Sequence, residues 1–172
     1  MEFLEIVMQW EYSFKKMGYR ETLPNNWFKE RKELIIVLRV LSLPGDYYFY
    51  VDVGVIIKKL YHHGSLQRPL WRYSHLVSSL WRLIYFRNEG KGTERYLNKL
   101  FSFDPKINTD DQIESNISKL SMMYNSRVVP IFGILENWLK EGEDLNEKTT
   151  WQPFWKYFGP TLNVDESFWE GR

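Results

Sequence analysis

The stretch LIIVLRVLSLPGDYYFYVDVGVII, residues 34–57, decides the fold of this chain. Leu34 to Leu43 is rich in β-branched and aliphatic residues and offers no polar face. Pro44-Gly45-Asp46 follows, a turn signal of the kind that joins antiparallel strands. From Tyr47 to Ile57 the odd positions are uniformly apolar, whereas the even positions include Asp52 and Gly54. A period of two is the signature of a half-buried strand, so two antiparallel strands are predicted here. Gly54 marks a bulge or a close backbone approach. Asp52, at an alternate position of an apolar strand, reads as an exposed carboxylate and stays a minor candidate for chemistry.

Upstream, Phe3, Val7, Trp10, Phe14 and Met17 recur at helical spacing. Gly18 stands in the C-terminal cap position, and Lys15 and Lys16 occupy the last turn, where cations suit the helix dipole. Pro24, Asn25 and Asn26 form a turn, Trp27 to Lys29 a short strand, and the charges of Glu30 to Glu33 a second turn. Downstream, Leu60 to Pro69 reads as a loop and Leu70 to Arg87 as a long strand bent at Ser78-Ser79, with a helix over Leu76 to Phe86 as the alternative. Asn88 to Thr93 has the composition of a hairpin loop, from which Glu94 to Phe103 returns.

The chain then turns helical. Thr109-Asp110-Asp111-Gln112 has the form of a capping box, and Ile113, Ile117, Leu120 and Tyr124 form the stripe behind it. Pro130 suits the first turn of a second helix with an apolar face of Ile131, Ile134, Leu135 and Trp138, closed by Gly142. The expected class is therefore α+β: an N-terminal helix, an antiparallel sheet of about four to five strands, then two C-terminal helices and an aromatic-rich tail. Residues 1–142 form the domain. Residues 143–172 are a charged linker and a tail with seven aromatic residues, packing on the domain or on a partner.

The 172 residues suit one domain, with 44% hydrophobic and 26% charged residues. Aromatic residues reach 17%, which favours strands and well-anchored cores and also suits binding surfaces. There is no cysteine, which excludes disulfides, thiolate metal sites and a cysteine nucleophile. Met1-Glu2-Phe3-Leu4-Glu5 lacks the basic start of a signal peptide, and no apolar run nears the ~20 residues that span a bilayer. A cytoplasmic protein that does not engage membranes is expected.

The order of elements resembles an uncharacterised bacterial family, the domain of unknown function DUF 4304. The residues behind this are Lys15-Lys16-Met17-Gly18-Tyr19, the Trp27-Phe28 strand, Val51-Asp52-Val53-Gly54, and Val129-Pro130-Ile131-Phe132 with Leu135. The likeness spans roughly residues 1–140 in layout. It implies an α+β fold with an antiparallel sheet and carries over no catalytic residue.

Motifs for chemistry are sparse. His62, His63 and His75 have no carboxylate close in sequence to complete a metal site, and no cofactor is expected. Gly90-Lys91-Gly92-Thr93 lacks the upstream glycine of a phosphate loop and reads as a turn. Ser74, Ser78 and Ser79 lack a nucleophile elbow, and Asp110-Asp111 need no role beyond the helix dipole. Charge is more informative than motif. The net formal charge is +1, yet residues 56–106 hold ten basic against three acidic side chains, and residues 107–172 six against eleven.

Within that basic middle, Arg68, Trp71, Arg72, Tyr73, Arg82, Tyr85, Arg87, Lys91, Arg95 and Lys99 interleave cations with rings. Such a mixture suits an acidic protein surface, because Trp, Tyr and Arg are the usual interface anchors. It suits nucleic acid too, since bases stack on rings and phosphates pair with cations. It is equally compatible with rings in the core and cations facing the protein's own acidic helices. The expected function is non-catalytic protein binding, of the immunity or antitoxin kind that occludes a partner's site. The alternative is a nucleic-acid-binding accessory protein using residues 56–106.

Overall fold

β3 (Leu34–Ser42) and β4 (Phe49–Ile57) pair antiparallel along their whole length, with Leu34 opposite Ile57 and Ser42 opposite Phe49. They are the centre of a five-stranded antiparallel sheet in the spatial order β1-β2-β3-β4-β5, in which every strand bonds to its sequence neighbour. The other strands are β1 (Arg20–Leu23), β2 (Asn26–Glu30) and β5 (Leu76–Ser79). The helix α1 (Phe3–Lys16) precedes the sheet. After it come α2 (Leu80–Tyr85), α3 (Asp110–Met123), α4 (Val129–Trp138) and α5 (Trp155–Phe158). This computed structural model describes residues 2–42, 49–61, 70–85, 103–142 and 144–158. The class is α+β, as expected from the sequence.

The period-two pattern sorts the strands onto two faces. Leu34, Ile36, Leu38 and Val40 of β3, with Val51, Val53, Val55 and Ile57 of β4, point inward beside Trp27 of β2. Against them pack Ile6, Trp10 and Phe14 of α1, then Ile113, Ile117 and Leu120 of α3 and Leu135 of α4. Trp151, Phe154, Tyr157 and Phe158 belong to the same core, with Trp138 wedged against Trp151 and Phe154 at centroid distances of 4.9 and 5.1 Å.

Local signals set the helix ends. Gly18 adopts φ +85, which a side chain would resist, and closes α1 behind Met17. At α3 the capping box is reciprocal: Gln112 N–H donates to Thr109 Oγ1 at 3.3 Å, and Thr109 N–H donates to Gln112 Oε1 at 2.8 Å. Between α3 and α4 the backbone widens into a π-helical stretch, Tyr124–Val128, after which Pro130 enters the first turn of α4.

Three expectations need correction. In place of the long strand over Leu70 to Arg87, the described residues form a 3-10 turn (Leu70–Tyr73), the short β5, and α2, so the helical alternative over Leu76 to Phe86 holds for Leu80–Tyr85. Ser78-Ser79 is not a bend within a strand but the end of β5, where Ser79 Oγ accepts the Arg82 N–H at 3.1 Å and starts the helix. The face assigned to the last helix shifts by one contact, since Ile134 is 54% exposed while Phe132 and Leu139 are buried. α4 ends at Trp138, and Gly142 (φ +79) lies beyond an intervening turn. A further strand, β1, escaped the sequence reading. The Pro44-Gly45-Asp46 turn, most of the 60–69 loop, the Asn88–Thr93 loop and nearly all of the returning segment up to Phe103 lie outside the described residues.

Candidate binding surface on the outer face of the sheet

The face of the sheet turned away from α1 begins with pairs fixed by register: Ile35 with Ile56, Val37 with Gly54, Arg39 with Asp52. Ile35, Val37 and Ile56 are buried, although they lie on the side opposite the main core. What covers them is a small group of half-buried rings, Phe28, Tyr61, Trp71 and Tyr73. Tyr61 and Tyr73 meet edge to face at 5.6 Å. This cover explains why β3 shows five consecutive buried residues, Leu34 to Leu38, instead of alternating.

Gly54 makes the cover possible. A Cβ there would lie 2.3 Å from Ser74 Oγ and 3.0 Å from both Ser74 Cβ and Trp71 Cζ3. The glycine therefore marks a close approach, one of the two roles its place in an apolar strand suggested. His75 fastens the turn to the strand. Its N–H donates to Val55 C=O at 2.9 Å, and its Nδ1 accepts the Ile57 N–H at 2.9 Å. As an acceptor, Nδ1 carries no proton, and the His75 side chain is 1% exposed.

Charge on this face is organised around stacked arginines. Arg39 pairs with Asp52 at 2.9 Å and lies over the Trp71 ring at 4.1 Å. Its Nε–H finds no acceptor among the described residues. Arg20 lies over Phe28, its cross-strand neighbour, at 4.9 Å. Arg72 is exposed in the covering turn, and neither it nor Arg20 is held by a carboxylate among the described residues. Lys58 is matched with Glu30 at 3.4 Å. Arg20 presents a planar cation backed by a ring, whereas the Arg39 guanidinium is already engaged by Asp52.

Of the candidates read from sequence, Trp71, Arg72 and Tyr73 gather on this face. Trp71 and Tyr73 do so as part of its apolar cover, in a 3-10 turn rather than on one side of a strand. Arg82 is exposed on α2, and its guanidinium donates to Trp155 C=O at 3.1 Å. Tyr85 closes α2. Arg68, Arg87, Lys91, Arg95 and Lys99 lie outside the described residues, as do His62 and His63. Sequence reasoning missed Arg20, Phe28, Arg39 and Tyr61. The Arg39–Asp52 pairing was the findable one, because each is the lone charge in an apolar strand and antiparallel register brings them together.

The strongly perturbed titrations lie elsewhere. Tyr19 and Tyr124, the first residue of the π-helical stretch, are buried and join hydroxyl to hydroxyl beneath the sheet. Burial raises both phenols above their ordinary range, holding them neutral. An acid whose folded pKa is raised stabilises the fold fully below its unfolded value of about 10 and loses that contribution as pH climbs above it. Equilibrium unfolding should therefore show stability falling by about 1.4 kcal/mol per phenol for each pH unit above 10, with Tyr124→Phe shallower. Equal slopes for wild type and variant would contradict this.

No group of three His, Cys, Asp or Glu side chains among the described residues is placed to hold a metal ion, and no described helix is long and apolar enough to cross a membrane. Comparison with family models, curated proteins and solved structures gives no match for this chain.

Proposed function

We propose that this chain is a non-catalytic protein-binding domain whose outer sheet face docks on an acidic protein surface, in the manner of an immunity or antitoxin-like protein covering its partner's site. One observation carries the reading: the outer side of the sheet bears arginines stacked on rings, Arg20 on Phe28 and Arg39 on Trp71, and the turn that covers it adds the exposed Arg72. Trp, Tyr and Arg dominate interface hot spots, and stacked guanidinium groups lose little further freedom on binding. The layout resemblance to DUF 4304 is compatible with this role and adds nothing to its support. A cytoplasmic setting fits a chain without cysteine.

Nucleic acid fits this face less well. Asp52 and Glu30 already match two of its cations, which leaves Arg20 and Arg72 among the described residues: few for a backbone whose affinity accumulates over many phosphate contacts, but enough to anchor a protein interface that rests on a few residues. The test is purification of the tagged protein from its own organism, wild type beside Arg20→Glu/Arg72→Glu. A stoichiometric acidic partner held by wild type and weakened at least about 30-fold in the variant is the expected result, equivalent to about 2 kcal/mol. Both positions are exposed, so the variant keeps its fold. Recovery without any stoichiometric protein defeats the reading, and salt-sensitive retention of DNA or RNA in its place would establish the alternative.

A further inference from the structure

α1 buries Ile6, Trp10 and Phe14 against the sheet, yet a second apolar stripe runs along its other side. Leu4, Met8 and Tyr12 are spaced by four and are 72, 55 and 58% exposed. They sit two residues away from the buried set, about 200° around the helix, and so face away from the core. Beside this stripe lies an open groove of about 550 Å³ between α1 and α3, lined by Glu5, Met8, Gln9, Tyr12, Asp110 and Glu114. Met8 and Tyr12 supply its apolar lining, and Glu5, Asp110 and Glu114 bring three carboxylates to it. Gln9 ties the two helices by donating to Glu114 at 3.2 Å. The carboxylates do not converge on a metal-sized point. They are arranged for cations spread along a surface.

The same helix supplies such cations. Lys15 and Lys16 occupy its last turn, opposite in charge to Glu2 and Glu5 at its start. Helix α1 is thus acidic at one end, basic at the other, and apolar along the middle of its outward side. Two copies laid antiparallel satisfy all three features at once. A register that seats Met8 against the other copy's Tyr12 brings Glu5 beside the other copy's Lys15. It also carries that copy's lysines toward Asp110 and Glu114. Two-fold symmetry repeats each contact, as an isologous interface requires.

We propose that the outward side of α1 and its acid-walled groove bind a second copy of this chain, forming a two-fold dimer with α1 antiparallel to α1. The interface is remote in kind and position from the arginine–aromatic face, so either reading stands or falls without the other.

Sedimentation of the whole protein tests the proposal across concentration and salt. Wild type should move from the 20.9 kDa monomer to twice that mass as concentration rises, with dimerisation weakened by added salt. Met8→Glu/Tyr12→Glu should remain monomeric. The decisive arm is a charge exchange. Lys15→Glu and, separately, Glu5→Lys each set like charges together in both halves of the interface and should be monomeric where wild type dimerises, while an equimolar mixture of the two restores both Glu–Lys contacts and with them the dimer. Circular dichroism identical to wild type shows that each variant is folded, and restoration on mixing shows it independently. A wild type that stays monomeric into the millimolar range overturns the proposal, even if a foreign protein fills the groove. So does a dimer indifferent to these substitutions, or a mixture that fails to associate.

Discussion

Replacing Trp27 by alanine is expected to cost about 3–5 kcal/mol of stability, a large share of the 5–15 kcal/mol that typically holds a domain together. Trp27 is fully buried and joins the strands to the first helix: it pairs with Leu38 in the sheet and its ring lies 5.0 Å from that of Phe14. Removing it opens a cavity bounded by sheet on one side and α1 on the other, and elements held by cross-strand register and core packing cannot collapse freely into it. Trp27→Phe should behave differently. The indole N–H is buried without an acceptor among the described residues, so phenylalanine loses volume but also relieves an unpaired donor. Denaturant unfolding should therefore rank wild type, Trp27→Phe and Trp27→Ala in that order, with the larger gap at the second step. A Trp27→Ala variant within about 1 kcal/mol of wild type would mean that the ring does not bear on α1 and the sheet together.

The second large effect is expected at Gly54. Valine there drives a branched side chain into Ser74 and Trp71, at positions where even a Cβ is too close. Overpacking of this kind costs about 1–3 kcal/mol, which for a chain of this length lowers the melting temperature by roughly 2–12 °C. The serine hydroxyl can rotate away, but the Trp71 ring and Ser74 Cβ cannot move without lifting the whole turn. Trp71 would then lose its stack on Arg39, and His75 its two bonds to β4. Two readouts check this: the melting temperature, and binding of the acidic partner proposed above, which should fall with it because the displaced turn carries Arg72. Gly54→Ala combined with Ser74→Gly should recover much of the loss, as expected for two sites in direct contact. A Gly54→Val protein that melts with wild type would show that the turn does not rest on β4.

How much of this was legible in the sequence depends on whether a pattern is local. The alternation in Tyr47 to Ile57 and the stripe of Ile113, Ile117, Leu120 and Tyr124 identify their elements because one face of each meets one core. The capping box at Thr109 is legible for the same reason, since its partners lie three residues apart. Arg20 to Leu23 gave no such signal: four residues with two charges carry no period, and only pairing with β2 makes them a strand. Leu70 to Arg87 misled because its apolar residues serve three surfaces in succession: the outer cover, the edge of β4, and the main core. No single period can describe that. The candidate surface was half visible for a related reason. Cations interleaved with rings pointed to residues 68–99, but Arg20, Phe28 and Arg39 arrive there through strand register, which no linear spacing reveals.

The neighbour-to-neighbour order of the sheet also bears on how the chain comes into being. Each strand finds its partner in the segment made just before it, so the meander can assemble as synthesis proceeds. The parts that cover its inner face arrive far later. Gln9 waits for Glu114, Tyr19 for Tyr124, and Arg31 for Glu136, each contact spanning 105 residues. Glu136 is the last of these three fasteners: besides its 2.5 Å pairing with Arg31, it accepts the Glu33 N–H at 3.3 Å, gripping the turn between β2 and β3. A nascent chain thus carries a complete sheet with one apolar side open to water until α4 has left the ribosome. Among the described residues, α1, then α2 and α3 as they emerge, shield it only in part during that interval.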